Sequence, residues 1–164
     1  MIEQRLAELE RRLQQIEDER AIERMIASYG PLVDAGDPES TAALWHDEGI
    51  YDVENWLMNG REEIAAMVRS RGHQDLIARG CTHFLGPAVV TVNGDEAVAV
   101  CESTLLVKQG NQFRVARSGA NYFHLTRVAG SPSQWQIVRR ITRMLDGDEE
   151  TRALLIDGIA GRIR

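Results

Sequence analysis

A single carboxylate, Asp34, follows the apolar pair Leu32 and Val33 in "ASYGPLVDAGD" (residues 27–37), at the end of a segment that otherwise reads as a buried helix. An acid there either caps the helix end, makes an Asx turn towards Gly36, or serves chemistry in a cavity. The chain has four histidines, His46, His73, His83 and His124. Imidazole is the side chain whose ordinary pKa suits it to act as a base near neutral pH. No pair has H-E-x-x-H or related spacing, so no metal site is expected. His46 in "LWHDEG" reads as a residue at a helix end, His73 as part of a polar loop after Gly72, and His124 as an interface residue. His83 opens a strand between Thr82 and Phe84, at the level where helix termini should meet the sheet. On the last strand, Trp135, Ile137, Ile141 and Leu145 share one parity with Arg139 and Arg143, and an arginine on so apolar a face needs an anionic partner or ligand. On the strand before it, Arg117, Asn121, Phe123 and Leu125 share a face, opposite Tyr122 and His124. A β-bulge between would exchange these faces.

The elements that must hold these residues are legible from pattern. Leu6, Leu9, Leu13 and Ile16 recur at alternating three- and four-residue intervals among Glu, Arg and Gln, which predicts a long N-terminal amphipathic helix over about residues 1–28. Ile22, Met25, Ile26 and Tyr29 form a second, rotated stripe, from one drifting helix or two abutting ones. Gly30, Pro31, Gly36 and Pro38 predict a kink or fraying near Asp34. A short helix over 39–46, a mixed strand in "EGIYDVENWLM" containing Trp56, and a helix in "REEIAAMVRSR" follow. From Cys81 onward, β-rich segments separated by NGD, QGN and AGSPS predict an antiparallel meander over 81–146, and a tail helix over 149–164 ends the chain. Helices first and a meander after them indicate an α+β domain: a cone-shaped, curved antiparallel sheet with helices packed over its concave face, and hence a pocket.

Composition limits the partners. The chain of 164 residues is one domain's worth, with 43% hydrophobic residues and a formal charge of −6. That balance argues against nucleic acid and against an anionic membrane surface. Cys81 and Cys101 lie in apolar surroundings without C-x-x-C spacing and read as free thiols of a reducing compartment. The opening "MIEQRLAELERR" has no apolar signal core, and no apolar run is long enough to span a bilayer, so the expectation is a cytoplasmic protein. The second sheet face, with Tyr122 and His124, predicts a homo-oligomer.

Four stretches, "ERMIASYGPLVDAGDPESTAALWHDEGIYDVE", "CTHFLGPAVVTV", "GANYFHLTRV" and "WQIVRRITRML", resemble the nuclear transport factor 2-like superfamily, in its SnoaL-like (polyketide-cyclase-like) branch. That branch includes scytalone dehydratase, hexachlorocyclohexane dehydrochlorinase and bile-acid 7α-dehydratase, the last being the nearest resemblance. It implies the cystatin-like α+β barrel and a trimer or dimer. It further implies a catalytic dyad of Asp34 and His83, with Tyr29 and Arg143 at positions of pocket residues in the bile-acid enzyme, and Asn121 at that of a pocket asparagine in scytalone dehydratase. Trp56, Arg117, Phe123 and Ile141 are the candidate substrate wall. Leu105 stands where the bile-acid enzyme carries an acid, and Glu102 has the opposite parity, so substrate identity does not transfer. The implied chemistry is cofactor-independent: His83 abstracts a carbon-bound proton next to a carbonyl of a hydrophobic cyclic, aromatic or steroid-like molecule, Asp34 fixes its tautomer, and Tyr29 or Arg143 stabilises the developing charge. The competing expectation is a binding or assembly module, such as the β-subunit of an aromatic-ring dioxygenase.

Overall fold

The computed structural model describes residues 1–164. Its first element is one continuous helix, α1 (Ile2–Ala35), which runs through Pro31 and ends on Gly36 in the left-handed conformation (φ 70°). Of the two expected arrangements it is the single helix, and it ends one residue after Asp34. Pro31 gives up only one backbone bond near the C-terminal end, and packing of Ile22, Ile26, Tyr29 and Val33 holds the last turns. The helix α2 (Pro38–Ala42) is shorter than expected, capped by the Asp37 side chain on the Ser40 N–H. His46 belongs to the next strand and not to a helix end.

The segment expected as one mixed strand is a hairpin, β1 (Trp45–Val53) and β2 (Trp56–Asn59). Glu54 and Asn55, both at positive φ (51° and 69°), make its two-residue turn. The helix α3 (Gly60–Arg69) is followed directly by α4 (Arg71–Arg79), capped by Ser70. His73 is therefore helical, where the sequence suggested a loop. In the meander, Gly86 and Pro87 divide the first expected strand into β3 (Cys81–Leu85) and β4 (Val89–Asn93). Both pair antiparallel with β5 (Glu96–Gln109), which pairs with β6 (Gln112–Arg127) and so to β7 (Trp135–Met144). The sheet is closed off by β1, parallel to β7, giving the order β2-β1-β7-β6-β5-β3. The fold is thus α+β, with one parallel pair in a sheet expected to be wholly antiparallel. No helix is long and apolar enough to cross a membrane.

The core lies between α1, α3 and the inner face of the sheet, with Trp45, Ile64, Phe123, Leu125 and Ile137 fully or almost fully buried. At the far end of the sheet α1 is pinned by Asp18, whose buried carboxylate accepts from Arg127 (2.7 and 2.9 Å) and from the Trp135 indole (3.1 Å). Burial pushes that carboxyl up, and these bonds outweigh it, holding the pKa below the usual range. On the outer face of the sheet, α5 (Glu149–Ile159) packs against β5 and β6. Tyr122 is fully buried there, and its hydroxyl donates to the Arg162 carbonyl (2.8 Å), while His124 is bonded to Glu96. Both residues are thus engaged by partners within the chain.

Candidate active site

The close approach that makes the site comes from Gly30. A Cβ at this position would lie 2.0 Å from the carbonyl oxygen of His83, so α1 can rest against β3 only with glycine there. One turn later, Asp34 meets the opening of β3. Its Oδ2 accepts from the backbone N–H of His83 (2.8 Å) and its Oδ1 lies 2.6 Å from His83 Nδ1. The Cys81 thiol, 3.5 Å away, donates to the same Oδ1. Burial, and then the adjacent carboxylate, push that thiol up to about 11, so it stays protonated. With Nδ1–H bound to Asp34, the His83 Nε2 is the nitrogen left with a lone pair.

Burial is the largest influence on His83 and lowers its pKa, opposed by the hydrogen bond and charge of Asp34, with His73 and Arg140 lowering it further. The ring is therefore neutral and basic at pH 7. His73 backs it, ring centroids 5.7 Å apart, and is itself fixed by Nε2 donating to the Val33 carbonyl (2.9 Å). A helix-borne second imidazole behind the first was not anticipated from the sequence.

His83 lines a cavity of about 650 Å3 measured out to its open mouth, with nine of its fifteen lining residues hydrophobic, which suits a small apolar ligand. Tyr29, Trp56 and Arg117 line it too, with Tyr51, Leu105 and Arg140. Tyr29 is buried, its hydroxyl 3.5 Å from that of Tyr51, and burial first, then the neighbouring Tyr51, hold its pKa well above 10. It is a proton donor at any physiological pH. Arg117 pairs with Glu54 at the rim.

The remaining candidates lie elsewhere. Asn121 is fully buried behind the cavity wall; its Oδ1 accepts from Arg140 Nη2 (2.7 Å) and Thr142 Oγ1 (2.9 Å), and its Nδ2 donates to Ser103 (2.8 Å). Phe123 is fully buried with its ring beneath the Arg140 guanidinium, 5.1 Å from ring centroid to Cζ. Ile141 packs outward with Val98, Tyr122 and Leu154. Arg143 also points outward, in a bidentate pair with Asp52 (2.7 and 2.8 Å) that raises its pKa and lowers that of the acid. The cause is a register shift on β7: Leu125 pairs with Ile137, but His124 pairs with Arg139. The extra residue turns Arg140 and Thr142 inward, and Arg139, Ile141 and Arg143 outward.

Arg140 is the residue that alternation missed. It is 2% exposed, stacked over Tyr29 (4.0 Å) and Tyr51 (4.6 Å), and has no carboxylate partner; its Nη1 has no hydrogen-bond acceptor. A buried cation with an unused donor is costly unless something anionic completes it. The adjacent pairs Ile137–Val138 and Arg139–Arg140 break strict alternation and were the available sign of the bulge.

The chain's comparisons agree with this architecture. A nuclear transport factor 2-like protein with a cystatin-like fold from Novosphingobium aromaticivorans is 42% identical, covering 92% of this chain and 96% of that one, with a TM-score of 0.87. A protein of unknown function from Mycobacterium tuberculosis (18% identity, 93% and 91% covered, TM-score 0.70) shares the fold. So does Aln2 from a Streptomyces species (17%, 76% and 88%, 0.65). No functionally curated protein matches. The SnoaL-like domain model matches residues 14–141, from the last exposed turn of α1 to the bulged strand β7, and the chain accordingly belongs to the SnoaL-like family of the nuclear transport factor 2-like superfamily.

Proposed function

We propose that the protein is a cofactor-independent lyase or isomerase of the dehydratase type, acting on a small hydrophobic cyclic molecule that carries a carbonyl or a related electron-withdrawing oxygen. The observation that carries this reading is the pairing, in one apolar cavity, of a neutral imidazole held by Asp34 with a buried guanidinium whose Nη1 is unengaged. His83 Nε2 takes the proton from the carbon next to the carbonyl, and the electron pair moves onto the carbonyl oxygen. The Arg140 guanidinium, which lines the cavity, stabilises that oxyanion in a water-poor site, where such a donor is worth roughly 2.7–4 kcal/mol of transition-state stabilisation. When the pair returns, the bond to a β-hydroxyl breaks, and Tyr29 or the imidazolium supplies the proton that lets it leave as water. Asp34 stabilises the imidazolium in between. In this reading Arg140 takes the role first assigned to Arg143.

The test uses a panel of cyclic β-hydroxy ketones in D2O, read by mass spectrometry for loss of water and for deuterium at the carbon next to the carbonyl. Wild type should show one or both, and His83→Ala should lose them by roughly 10²–10⁴-fold. Binding of panel members without exchange or water loss would favour a carrier or assembly module instead. One feature favours that second reading: Leu105, paired with His83 across the strands, presents an apolar side chain where the bile-acid enzyme has an acid.

A further inference from the structure

The first half of α1 stands clear of the domain. The stripe that packs on the sheet is Ile22, Ile26, Tyr29 and Val33, and continued towards the N-terminus at the same spacing it falls on Asp18, Gln15, Arg11, Glu8 and Gln4. The core-facing side of the helix thus becomes polar beyond the point where Asp18 fastens it to Arg127 and Trp135. On a different face, the apolar residues Ile2, Leu6, Leu9, Leu13 and Ile16 are 54–84% exposed. They span about 21 Å of free helix at 1.5 Å per residue. Their spacing of four, three, four and three is a heptad seam, with Leu6 and Leu13 at a and Ile2, Leu9 and Ile16 at d. Arg20 and Glu23 end it where the helix joins the domain.

The flanking charges specify the occupant. Glu3, Glu10 and Glu17 fall at e, and Arg5 and Arg12 at g; of these, none is ion-paired within its own chain, whereas Arg11, on the outer face, bonds to Glu8. In a parallel coiled coil a g residue faces the e residue of the next heptad on the partner, so Arg5 meets the partner's Glu10 and Arg12 the partner's Glu17. An antiparallel pairing would set Arg against Arg and Glu against Glu. We propose that residues 2–16 are the assembly element of this protein, joining it to further copies of this chain as a parallel, in-register coiled coil. Leucine at both a positions with isoleucine at two of three d positions favours three or four strands over two. The inference does not depend on the catalytic reading.

The test is the mass of the full chain by light scattering at micromolar concentration. Wild type is an oligomer; Leu9→Glu/Leu13→Glu is a monomer with unchanged circular dichroism of the β-sheet, since both side chains are solvent-exposed within the monomer. Arg5→Glu/Arg12→Glu weakens assembly by roughly tenfold, and adding Glu10→Arg/Glu17→Arg restores it. Under mild oxidation Leu9→Cys links to itself between chains and Arg11→Cys does not. A monomeric wild type, an oligomer that survives Leu9→Glu/Leu13→Glu, or a Leu9→Cys that does not cross-link would each overturn the proposal.

Discussion

Replacing Gly30 with alanine tests the geometry without touching a reacting atom. In an unpacked helix the change stabilises by about 1 kcal/mol, because alanine has less backbone freedom to lose. Here the new Cβ would sit 2.0 Å from the His83 carbonyl oxygen, and ordinary van der Waals contact begins at 3.4 Å, so α1 and β3 must separate by some 1.4 Å. The obstacle is backbone in the middle of a strand pairing, which puts the cost at the upper end of the roughly 1–3 kcal/mol typical of overpacking. The net effect is a loss of about 2 kcal/mol, or some 4–8 °C in Tm for a domain of this size. The same separation would stretch the 2.6 Å Asp34–His83 bond beyond hydrogen-bond reach. Turnover should fall by about 10²-fold, as displacements near 1 Å do in positioned catalytic groups. The measurement is thermal unfolding alongside water loss from a substrate found with the ketone panel, with Gly72→Ala as control, since a Cβ at Gly72 on α4 meets nothing within 4 Å. If Gly30→Ala raised Tm as the control should and kept full turnover, the argument that glycine sets the α1–β3 distance would be wrong.

Because burial holds the pKa of His83 below 6.5, the base is unprotonated at neutral pH, and activity should decline only as pH drops through that lowered value. Asp34→Asn removes the influences that raise it and should move the acid limb of the pH–rate profile to still lower pH. The unfolded chain takes up this proton at a higher pH than the folded one, so the stability His83 contributes is complete above 6.5 and shrinks on acidification, which Tm against pH should show relative to His83→Gln. Arg143→Met should cost about 2 kcal/mol in denaturant unfolding, less than a fully buried pair because Arg143 and Asp52 keep some solvent contact, and should leave turnover intact. Arg140→Met should do the reverse: stability unchanged or raised in the same assay, and turnover reduced by roughly 10²-fold or more.

The two arginines show where sequence reasoning reaches its limit. The α+β class, the strands from Cys81 onward and the inward face of Arg117, Asn121 and Phe123 follow from periodicity and turn residues, because β6 keeps its alternation from Arg117 to Leu125. On β7 one inserted residue exchanges the faces, and an alternation rule carried across it selects Arg143 and Ile141 where the fold presents Arg140 and Thr142. Helix α4 was illegible for a different reason: "RGHQDLIAR" is short, carries glycine near its start and buries no side chain, so its apolar pattern is thin. The tail helix was visible, but what it covers was not. Gly158 lets α5 close onto Val100, whose Cβ would lie 2.5 Å from an added Cβ, and Tyr122 on the outer face is covered by the chain's own last helix.

Arg140 also accounts for polar residues that would otherwise be unexplained in so apolar a core. Its guanidinium lacks a carboxylate, so its charge is met only by the π-faces of Tyr29, Tyr51 and Phe123 and by one amide oxygen, that of Asn121. Asn121 is in turn fixed by Ser103 and Thr142, which leaves its Oδ1 no freedom to turn away. A structural ion pair of the Arg143–Asp52 kind would compensate the buried charge more fully, and the same strand supplies one three residues on. Neutral partners hold the guanidinium in place without cancelling its charge, and a second carboxylate beside His83 would have cancelled part of it. In the proposed mechanism, the carboxylate of Asp34 behind the base and the cation of Arg140 on the cavity wall together favour movement of negative charge away from Asp34 and towards Arg140 as a proton leaves carbon and an oxyanion forms. Leu105 leaves that cation uncancelled, and it equally suits the lining of a pocket that only binds.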